Sequence, residues 1–239
     1  MTTHDGSVRI LDDLALGTEP RPFLPAAGRD WLLPLYDPLT RLAGVHRRHE
    51  RAVGLAGISA GQSVLDVGCG TGNLTRAVLR AVPGAQVTGL DPDPKALRTA
   101  ARKLTRARAS ATLVRGYADH LPAPDGSLDH VVSALALHHL DDRESFAAEA
   151  FRVLAPGGHV TILDIVGDPG DDAGEHTHGR AHGGHRHRLG RRAMEQRLRA
   201  NAGNALTTLL STAGFTDARE VAQEDSWFGS LTYVRATRP

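Results

Sequence analysis

The feature that most constrains the fold is a glycine-rich turn at residues 64–73, with the sequence VLDVGCGTGN. An apolar run leads into Gly68, Gly70 and Gly72, and a helix-like segment begins at Asn73. Glycine permits positive φ angles and lets a ligand approach the backbone closely. A helix that begins directly after such a turn offers unpaired N–H groups to a phosphate or a carboxylate. The turn therefore predicts a strand–loop–helix unit that holds a ligand.

An acidic residue at the end of the next predicted strand strengthens this interpretation. Residues 87–91 have the sequence VTGLD, so Asp91 lies 19 residues after Gly72. A carboxylate at about this separation holds the ribose hydroxyls in dinucleotide-type folds. The NAD fingerprint G-x-G-x-x-G requires a glycine where this chain has Asn73. An NAD-dependent oxidoreductase is therefore the less favoured alternative.

Strand-like and helix-like segments alternate along most of the chain. The pattern predicts strands at 63–67, 86–90, 112–114, 129–133, 159–165, 218–221 and 230–236, and helices at 73–82, 94–107, 143–154 and 205–213. Such alternation implies βαβ crossovers and a mainly parallel sheet with both faces covered by helices. Pro94 behind Asp93 is typical of a capped helix start.

The composition fits one globular domain with appendages, since 41% of the 239 residues are hydrophobic and 23% are charged. Residues 1–30 are expected to form a flexible leader. In the next segment, to about residue 60, the apolar residues recur at helical spacing. A net charge of +1 gives no reason to expect nucleic acid or a membrane surface as partner. The chain has no apolar run approaching the ~20 residues of a membrane span. A single cysteine and a polar N-terminus favour a cytoplasmic protein.

Five short motifs in a fixed order resemble those of the class I S-adenosylmethionine (SAM)-dependent methyltransferases. They are DVGCGTG at 66–72, GYADHLP at 116–122, DGSLD at 125–129, LALHHL at 135–140 and LAPGG at 154–158. The resemblance extends from about Tyr36 to the C-terminus. It is strongest to methyltransferase type 11, the group that includes the ubiquinone/menaquinone-biosynthesis C-methyltransferases.

This resemblance implies a Rossmann-like α/β domain over residues 31–239, with residues 31–60 as a helical lid. Its sheet would have seven mainly parallel strands in the order 3-2-1-4-5-7-6, ending in an antiparallel hairpin. The implied function is transfer of a methyl group from SAM to a small-molecule acceptor.

The resemblance also implies which residues hold the cofactor. The glycines would line the methionyl part of SAM, Asp66 would orient its amino group, and Asp91 would hold the ribose hydroxyls. The backbone N–H of Ala118 would contact adenine, and the peptide around Ser133 would reach the methionyl amine. The predicted cofactor site comprises Tyr36, Asp66, Gly68, Cys69, Gly70, Gly72, Asp91, Pro92, Ala118, Asp119, Ser133 and Ala134.

Three of these positions leave alternatives open. The family usually has an acid directly after the glycine of the third motif, where this chain has Tyr117. Either Asp119 replaces that acid, or the adenine edge is recognised in another way. Tyr36 either covers bound SAM or anchors the N-terminal segment to the core. Cys69 is more simply a packing residue than a nucleophile, because no cationic residue flanks it.

Two adjacent histidines are the candidate catalytic residues. Methyl transfer from a sulfonium mainly requires in-line placement of the acceptor, and a base is needed only when the acceptor must lose a proton. His138 and His139 follow the fourth predicted strand, where the substrate pocket of this family opens. Imidazole suits proton removal from a phenol, an enol or an amine. A purely structural role of the pair in its loop is the alternative.

A histidine-rich insertion at residues 167–188 is the most individual part of the sequence. Five of the 13 histidines lie there: His176, His178, His182, His185 and His187. Imidazoles with neighbouring carboxylates are candidate ligands for Zn or Ni, which implies an alternative function in metal binding or sensing on an accessory methyltransferase core. The spacing matches no fixed metal motif, so a solvated linker, a pH-responsive loop and a gating loop stay open.

Overall fold

Apolar, β-branched runs form the strands of a single sheet, and amphipathic segments form the helices that cover it. The computed structural model describes residues 7–11, 44–166, 204–226 and 229–239. The strands are β1 (Val8–Leu11), β2 (Ser63–Val67), β3 (Gln86–Asp91), β4 (Ala111–Arg115), β5 (Leu128–Ala134), β6 (Leu154–Val166), β7 (Thr216–Ser226) and β8 (Gly229–Thr237). The helices are α1 (Val45–Ala56), α2 (Asn73–Ala81), α3 (Pro94–Arg106), α4 (Arg143–Val153) and α5 (Ala205–Thr212), with a 3-10 turn at Leu137–His139.

The sheet is mainly parallel, as the alternation of strands and helices predicts. Its strands lie in the order β1-β4-β3-β2-β5-β6-β8-β7. The neighbouring pairs from β1 to β6 are parallel, whereas β8 runs antiparallel to both β6 and β7. The carboxyl ends of the parallel strands therefore meet at one edge, where ligands bind in open α/β sheets.

Strand β1 corrects the predicted count of seven strands and, with it, the predicted order 3-2-1-4-5-7-6. Residues Val8–Leu11 come from the segment predicted as a leader and pair in parallel with β4 at the edge of the sheet. The seven later strands follow one another as β4-β3-β2-β5-β6-β8-β7. Three of the four β1 residues are exposed, and Leu11 keeps 50% of its surface accessible. This segment therefore lacks the buried face by which a strand is recognised in a sequence.

The core lies on both faces of the sheet. Helices α1 and α2 pack Val53 and Val78 against β2 and β3 on one face, and α3 packs Leu104 beside them. On the opposite face, α4 buries Phe146 and α5 buries Leu210 completely. The central strands are thus enclosed, which explains their nearly continuous apolar sequences.

Aspartates cap two of the helices that border the ligand-binding edge. The Asp93 carboxylate accepts a 2.7 Å hydrogen bond from the backbone N–H of Lys95, and Pro94 occupies the first turn of α3, as predicted. Asp142 likewise accepts from the N–H of Ser145 at 2.8 Å and begins α4. Each cap satisfies an N–H group that has no partner within its helix.

Among the described residues, no helix has the length and apolar character needed to cross a membrane.

Replacing Gly72 with alanine is expected to lower the free energy of unfolding by roughly 1–3 kcal/mol. Gly72 has a φ of 75°, and a Cβ added there would lie 2.9 Å from the Cβ of Ala100 on α3. Gly54, on the exposed side of α1, is the matched control because an added Cβ meets nothing within 4 Å. Gly54→Ala is expected to keep or raise the stability, by up to about 1 kcal/mol. Urea unfolding measures both variants, and equal stabilities would contradict the close packing of the loop on α3.

Candidate functional site

The glycine loop connects β2 to α2 and is tied to the end of β3. The backbone N–H groups of Gly68 and Cys69 both donate to the carbonyl of Leu90 at 2.9 Å. The three loop glycines all have positive φ angles, of 74°, 52° and 75°. A Cβ added to Gly70 would meet no atom within 4 Å, so the loop leaves open space on this side. The backbone is therefore accessible to a ligand, as the sequence predicts.

Asp91 connects the end of β3 to this loop. Its Oδ2 accepts a 2.8 Å hydrogen bond from the N–H of Gly70, and its Oδ1 accepts from the N–H of Asp93 at 2.9 Å. Burial raises the pKa of Asp91 to about 6, although these two backbone hydrogen bonds oppose the rise. A carboxylate oxygen accepts more than one hydrogen bond. Asp91 is thus fixed in place with acceptor capacity left for a pair of ligand hydroxyls.

Asp66 lies below the loop and has one oxygen without a partner. Its Oδ2 accepts a 2.6 Å hydrogen bond from the hydroxyl of Thr75, whereas its buried Oδ1 has no hydrogen-bond partner among the described residues. Burial raises the pKa of Asp66 to about 7, against the lowering effect of hydrogen bonds from Thr75. A buried acceptor without a partner is costly, and in a native site it points to a missing water or ligand group.

A cleft at the carboxyl ends of the strands brings most of the predicted residues together. The predicted residues that line it are Gly68, Cys69, Gly70, Asp91, Pro92, Ala118, Asp119, Ser133, Ala134 and His139. Asp66, Gly72 and His138 do not line the cleft but lie behind it. Tyr36 falls outside the described residues. Both Tyr117 and Asp119 line the cleft.

The charge of the cleft is one-sided. Five aspartates line it: Asp91, Asp93, Asp119, Asp141 and Asp142. Within the described part of the chain, the lining includes no lysine and no arginine. Because carboxylates in a partly enclosed cleft create a negative potential, the site favours a cationic ligand. A strongly anionic ligand would find no counter-charge among these lining residues.

The two adjacent histidines occupy different environments. His138 is buried, and its Nδ1 lies 2.6 Å from Oδ1 of the fully buried Asp164, while its backbone N–H donates to Oδ2 of the same carboxylate at 3.0 Å. His139 packs against it with ring centroids 4.1 Å apart and lines the cleft. Leu135, just before this turn, has a positive φ of 57°, a strained conformation for leucine. Of the two candidate catalytic histidines, His139 lines the cleft, whereas His138 is buried and does not line it.

Cys69 combines cleft lining with core packing. Its thiol packs against Leu97 and Leu113 beneath the loop. Burial, and then the charges of Asp91 and Asp66, raise the pKa of this thiol well above its ordinary value. A thiol that stays protonated is a poor nucleophile. The position therefore has the packing role that the sequence favours.

Helix α1 contributes two lining residues that the sequence reasoning missed. Val45 and His49 lie one turn apart on its buried face, which continues through Ala52, Val53 and Ala56. A histidine within a buried apolar stripe at helical spacing is the feature that identifies such a residue in a sequence. Its neighbours in space, however, depend on how α1 packs against α2.

The histidines proposed as metal ligands, His176, His178, His182, His185 and His187, lie outside the described residues. Within the described ranges, no three histidine, cysteine, aspartate or glutamate side chains come together in a metal-binding arrangement.

Comparisons with known proteins fit this geometry. Residues 65–162 match the family model described as a methyltransferase domain. Over 141 residues the chain is 36% identical to a demethylmenaquinone methyltransferase of Thermus thermophilus, a match that covers 58% of this chain and 64% of the relative. It is 33% identical over 159 residues to the ubiquinone/menaquinone biosynthesis C-methyltransferase UbiE of Syntrophotalea carbinolica, covering 64% of each.

A solved structure extends the likeness to the whole fold. The crystal structure of a SAM-dependent methyltransferase from Aquifex aeolicus aligns with a TM-score of 0.60 and 19% identity, over 80% of this chain and 89% of that chain. This chain spans less than two thirds of the length of either of these two curated relatives. The family model includes the glycine loop, Asp91 and His139 but not α1, the helix that carries His49.

Replacing Asp66 with asparagine is expected to stabilise the ligand-free protein at pH 8. The raised pKa means that folded Asp66 keeps its proton up to about pH 7, whereas the unfolded side chain loses it near 3.8. Between these values the folded state binds more protons, so the stability contributed by this proton is lost as the pH rises through 7. Asparagine stays neutral and avoids the loss, which we expect to be roughly 1–3 kcal/mol.

Urea unfolding of both proteins at pH 5.5 and pH 8 measures this effect. The stability difference between Asp66→Asn and the parent protein should be larger at pH 8. A difference that does not change with pH would show that Asp66 is already ionised at pH 5.5 in the folded protein.

Proposed function

We propose that the chain is a class I SAM-dependent methyltransferase of the ubiquinone/menaquinone-like group, and that it transfers the methyl group of SAM to a small-molecule acceptor. The observation that carries this proposal is the bridge from Asp91 to the backbone of Gly70, set in a cleft lined by five aspartates. SAM has a ribose diol for Asp91 and a sulfonium and an ammonium for the negative potential.

The residues present fit SAM on several independent grounds. The open side of Gly70 admits a ligand against the backbone, and the unpartnered Oδ1 of Asp66 matches an ammonium reached directly or through water. The cofactor supplies an electrophilic methyl group when it is bound. The protein then holds the ribose, excludes water and aligns the acceptor, which is the main requirement of such a transfer.

We infer that the acceptor is a reduced quinone-type ring that lacks one methyl group. One matched relative is named as a demethylmenaquinone methyltransferase and another as a ubiquinone/menaquinone biosynthesis C-methyltransferase. The cleft supports a neutral, partly apolar acceptor, because Val45, Leu74, Leu135 and Leu140 line it and no arginine or lysine among the described residues does. A phosphorylated acceptor would place its negative charge beside carboxylates.

The proposed reaction exchanges a methyl group for a hydrogen on the ring: one bond forms and one breaks in the transfer, and the ring then loses a proton to a base. The nucleophilic ring carbon bonds to the methyl carbon, and the methyl–sulfur bond breaks with its electron pair on sulfur, which leaves S-adenosylhomocysteine. The ring carbon then loses its hydrogen as a proton. His139 lines the cleft and is the proposed acceptor of a proton from the substrate, either this one or the hydroxyl proton that activates the ring.

Calorimetry and an activity assay test the function together. SAM and S-adenosylhomocysteine should bind, NAD should not, and label from methyl-tritiated SAM should pass to reduced demethylmenaquinone. Binding of SAM without transfer to any quinol would refute the acceptor class and leave the cofactor assignment standing. The absence of SAM binding would refute both. The sequence comparisons give no support to the metal-binding alternative.

Replacing Asp91 with alanine is expected to weaken SAM binding by about 100-fold or more, because hydrogen bonds to a buried carboxylate are lost and the glycine loop loses one of its hydrogen bonds to β3. Asp125, an exposed aspartate away from the cleft, is the matched control, and Asp125→Ala should bind SAM normally. Calorimetric titration measures both affinities. Comparable weakening in the two variants would contradict the assignment.

Replacing His139 with asparagine is expected to lower kcat by about 100-fold with SAM affinity retained, since general-base assistance of this size is lost. His120 lies on an exposed turn and does not line the cleft, so His120→Asn serves as the control. Steady-state kinetics with a quinol acceptor and calorimetry with SAM measure the two properties separately. Normal turnover of the His139 variant would remove this residue as a base.

A further inference from the structure

Charge is unevenly distributed over the molecule, although the net charge of the chain is only +1. Residues 94–118, which include α3 and β4, contain no aspartate or glutamate. Their basic residues are Lys95, Arg98, Arg102, Lys103, Arg106, Arg108 and Arg115. Helix α2 likewise carries Arg76 and Arg80 and no acid. None of these cations lines the cofactor cleft, so the basic side of the molecule is distinct from it.

Helix α3 presents a stripe of arginines to solvent. Its buried side, which includes Leu97 and Leu104, packs on the sheet. Arg98, Arg102 and Arg106 are exposed and follow one another at intervals of four residues, so they share one face of the helix. Within the described ranges, none of these three arginines pairs with a carboxylate. The stripe therefore creates a positive potential that attracts anions.

A groove continues this basic stripe at the amino ends of β2, β3 and β4, opposite to the cofactor cleft. It has a volume of about 730 Å³, and its lining includes Arg9, Arg76, Arg80 and Arg108 but no acidic residue of the described chain. Arg80 pairs with Glu50 of α1, whereas the other three arginines form no ion pair within the part of the chain that the structure describes. Guanidinium groups without competing carboxylates suit phosphate groups.

Two exposed apolar side chains lie beside these cations. Ile10 and Leu11 follow Arg9 on β1 and are 38% and 50% exposed. They are the large apolar side chains that the described residues leave in solvent. Strand β1 lies beside α3, since Val8 packs against the buried residues of that helix. Cations around exposed apolar side chains are typical of proteins that bind a bilayer surface, where the cations attract anionic headgroups and the apolar groups enter the acyl boundary.

This combination favours a lipid surface over a nucleic acid. Proteins that bind single-stranded nucleic acid stack its bases on aromatic side chains. Strands β1 and β4 and helices α2 and α3 contain no phenylalanine, tyrosine or tryptophan. Exposed aliphatic side chains, by contrast, gain free energy when they leave water for lipid.

We propose that this side of the protein docks on a bilayer that contains anionic lipids. The docking surface consists of Arg9, Ile10, Leu11, Arg76, Arg98, Arg102, Arg106 and Arg108. Its attraction is electrostatic in the main and is therefore screened by salt. Docking would bring the cleft to an acceptor that is dissolved in the bilayer, a reason that rests on the proposed function because demethylmenaquinone carries an isoprenoid chain.

Sedimentation of the full-length protein with vesicles tests the surface. The protein should bind vesicles of phosphatidylcholine with phosphatidylglycerol, bind vesicles of phosphatidylcholine alone much less, and lose the difference at high salt. Arg102→Glu is expected to weaken binding to the anionic vesicles by about tenfold, because one attracted charge is replaced by a repelled one. Arg219→Glu is the matched control, since Arg219 is an exposed arginine on β7, at the opposite edge of the sheet. It changes the net charge equally and should bind like the parent protein.

A second variant measures the apolar contribution. Leu11→Ser removes an exposed apolar side chain and should weaken binding to the anionic vesicles by about threefold or more. Thermal unfolding of each variant confirms that the fold is retained.

Each outcome decides the proposal. Equal weakening by Arg102→Glu and Arg219→Glu would show that only net charge matters and would overturn the assigned surface. A protein that ignores anionic vesicles, whether it binds duplex RNA instead or dimerises through the edge of β1, overturns it as well. Vesicle binding is measured without SAM, so its failure leaves the proposed methyl transfer intact. A protein that binds vesicles but not SAM keeps the docking surface and loses the proposed function.

Discussion

The site depends on one buried carboxylate that connects two strands through the backbone. Asp91 ends β3 and accepts from the N–H of Gly70, so the position of the glycine loop above β2 is set by its neighbouring strand. The loop is further held by the carbonyl of Leu90, and Gly72 packs closely on α3. These contacts fix the position of the loop relative to α3 and to the edge of the sheet, where its backbone faces the cleft.

This arrangement has an energetic cost in the ligand-free protein. Burial raises the pKa values of Asp66 and Asp91 to about 7 and about 6, so near neutral pH both carboxyls ionise only at the expense of folding stability. A cationic ligand that pairs with these carboxylates offsets the cost when it binds. The buried carboxylates therefore destabilise the ligand-free site, and a bound cationic ligand relieves this cost. Such a cost is common where function requires buried charge.

Most of the fold is predictable from the sequence because the buried strands and amphipathic helices carry strong periodicities. The loop and Asp91 are also predictable, since both are encoded by residues close together in the chain. Strand β1 is different because its pairing with β4 buries almost no apolar surface. His49 was missed for another reason: it lines the cleft because of how α1 packs on α2, and no local spacing in the sequence encodes that packing. The distinction between His138 and His139 likewise depends on Asp164, which lies on the distant strand β6.

In the proposed complex, Asp91 holds the ribose of the cofactor, and the negative potential of the cleft favours its sulfonium and ammonium groups. His139 and the apolar side chains of Leu135 and Leu140 line the same cleft from the turn after β5, where an acceptor can approach the methyl group. Because the reactive group of the proposed complex belongs to the cofactor, the contribution of the protein is to hold cofactor and acceptor in the geometry that the reaction requires.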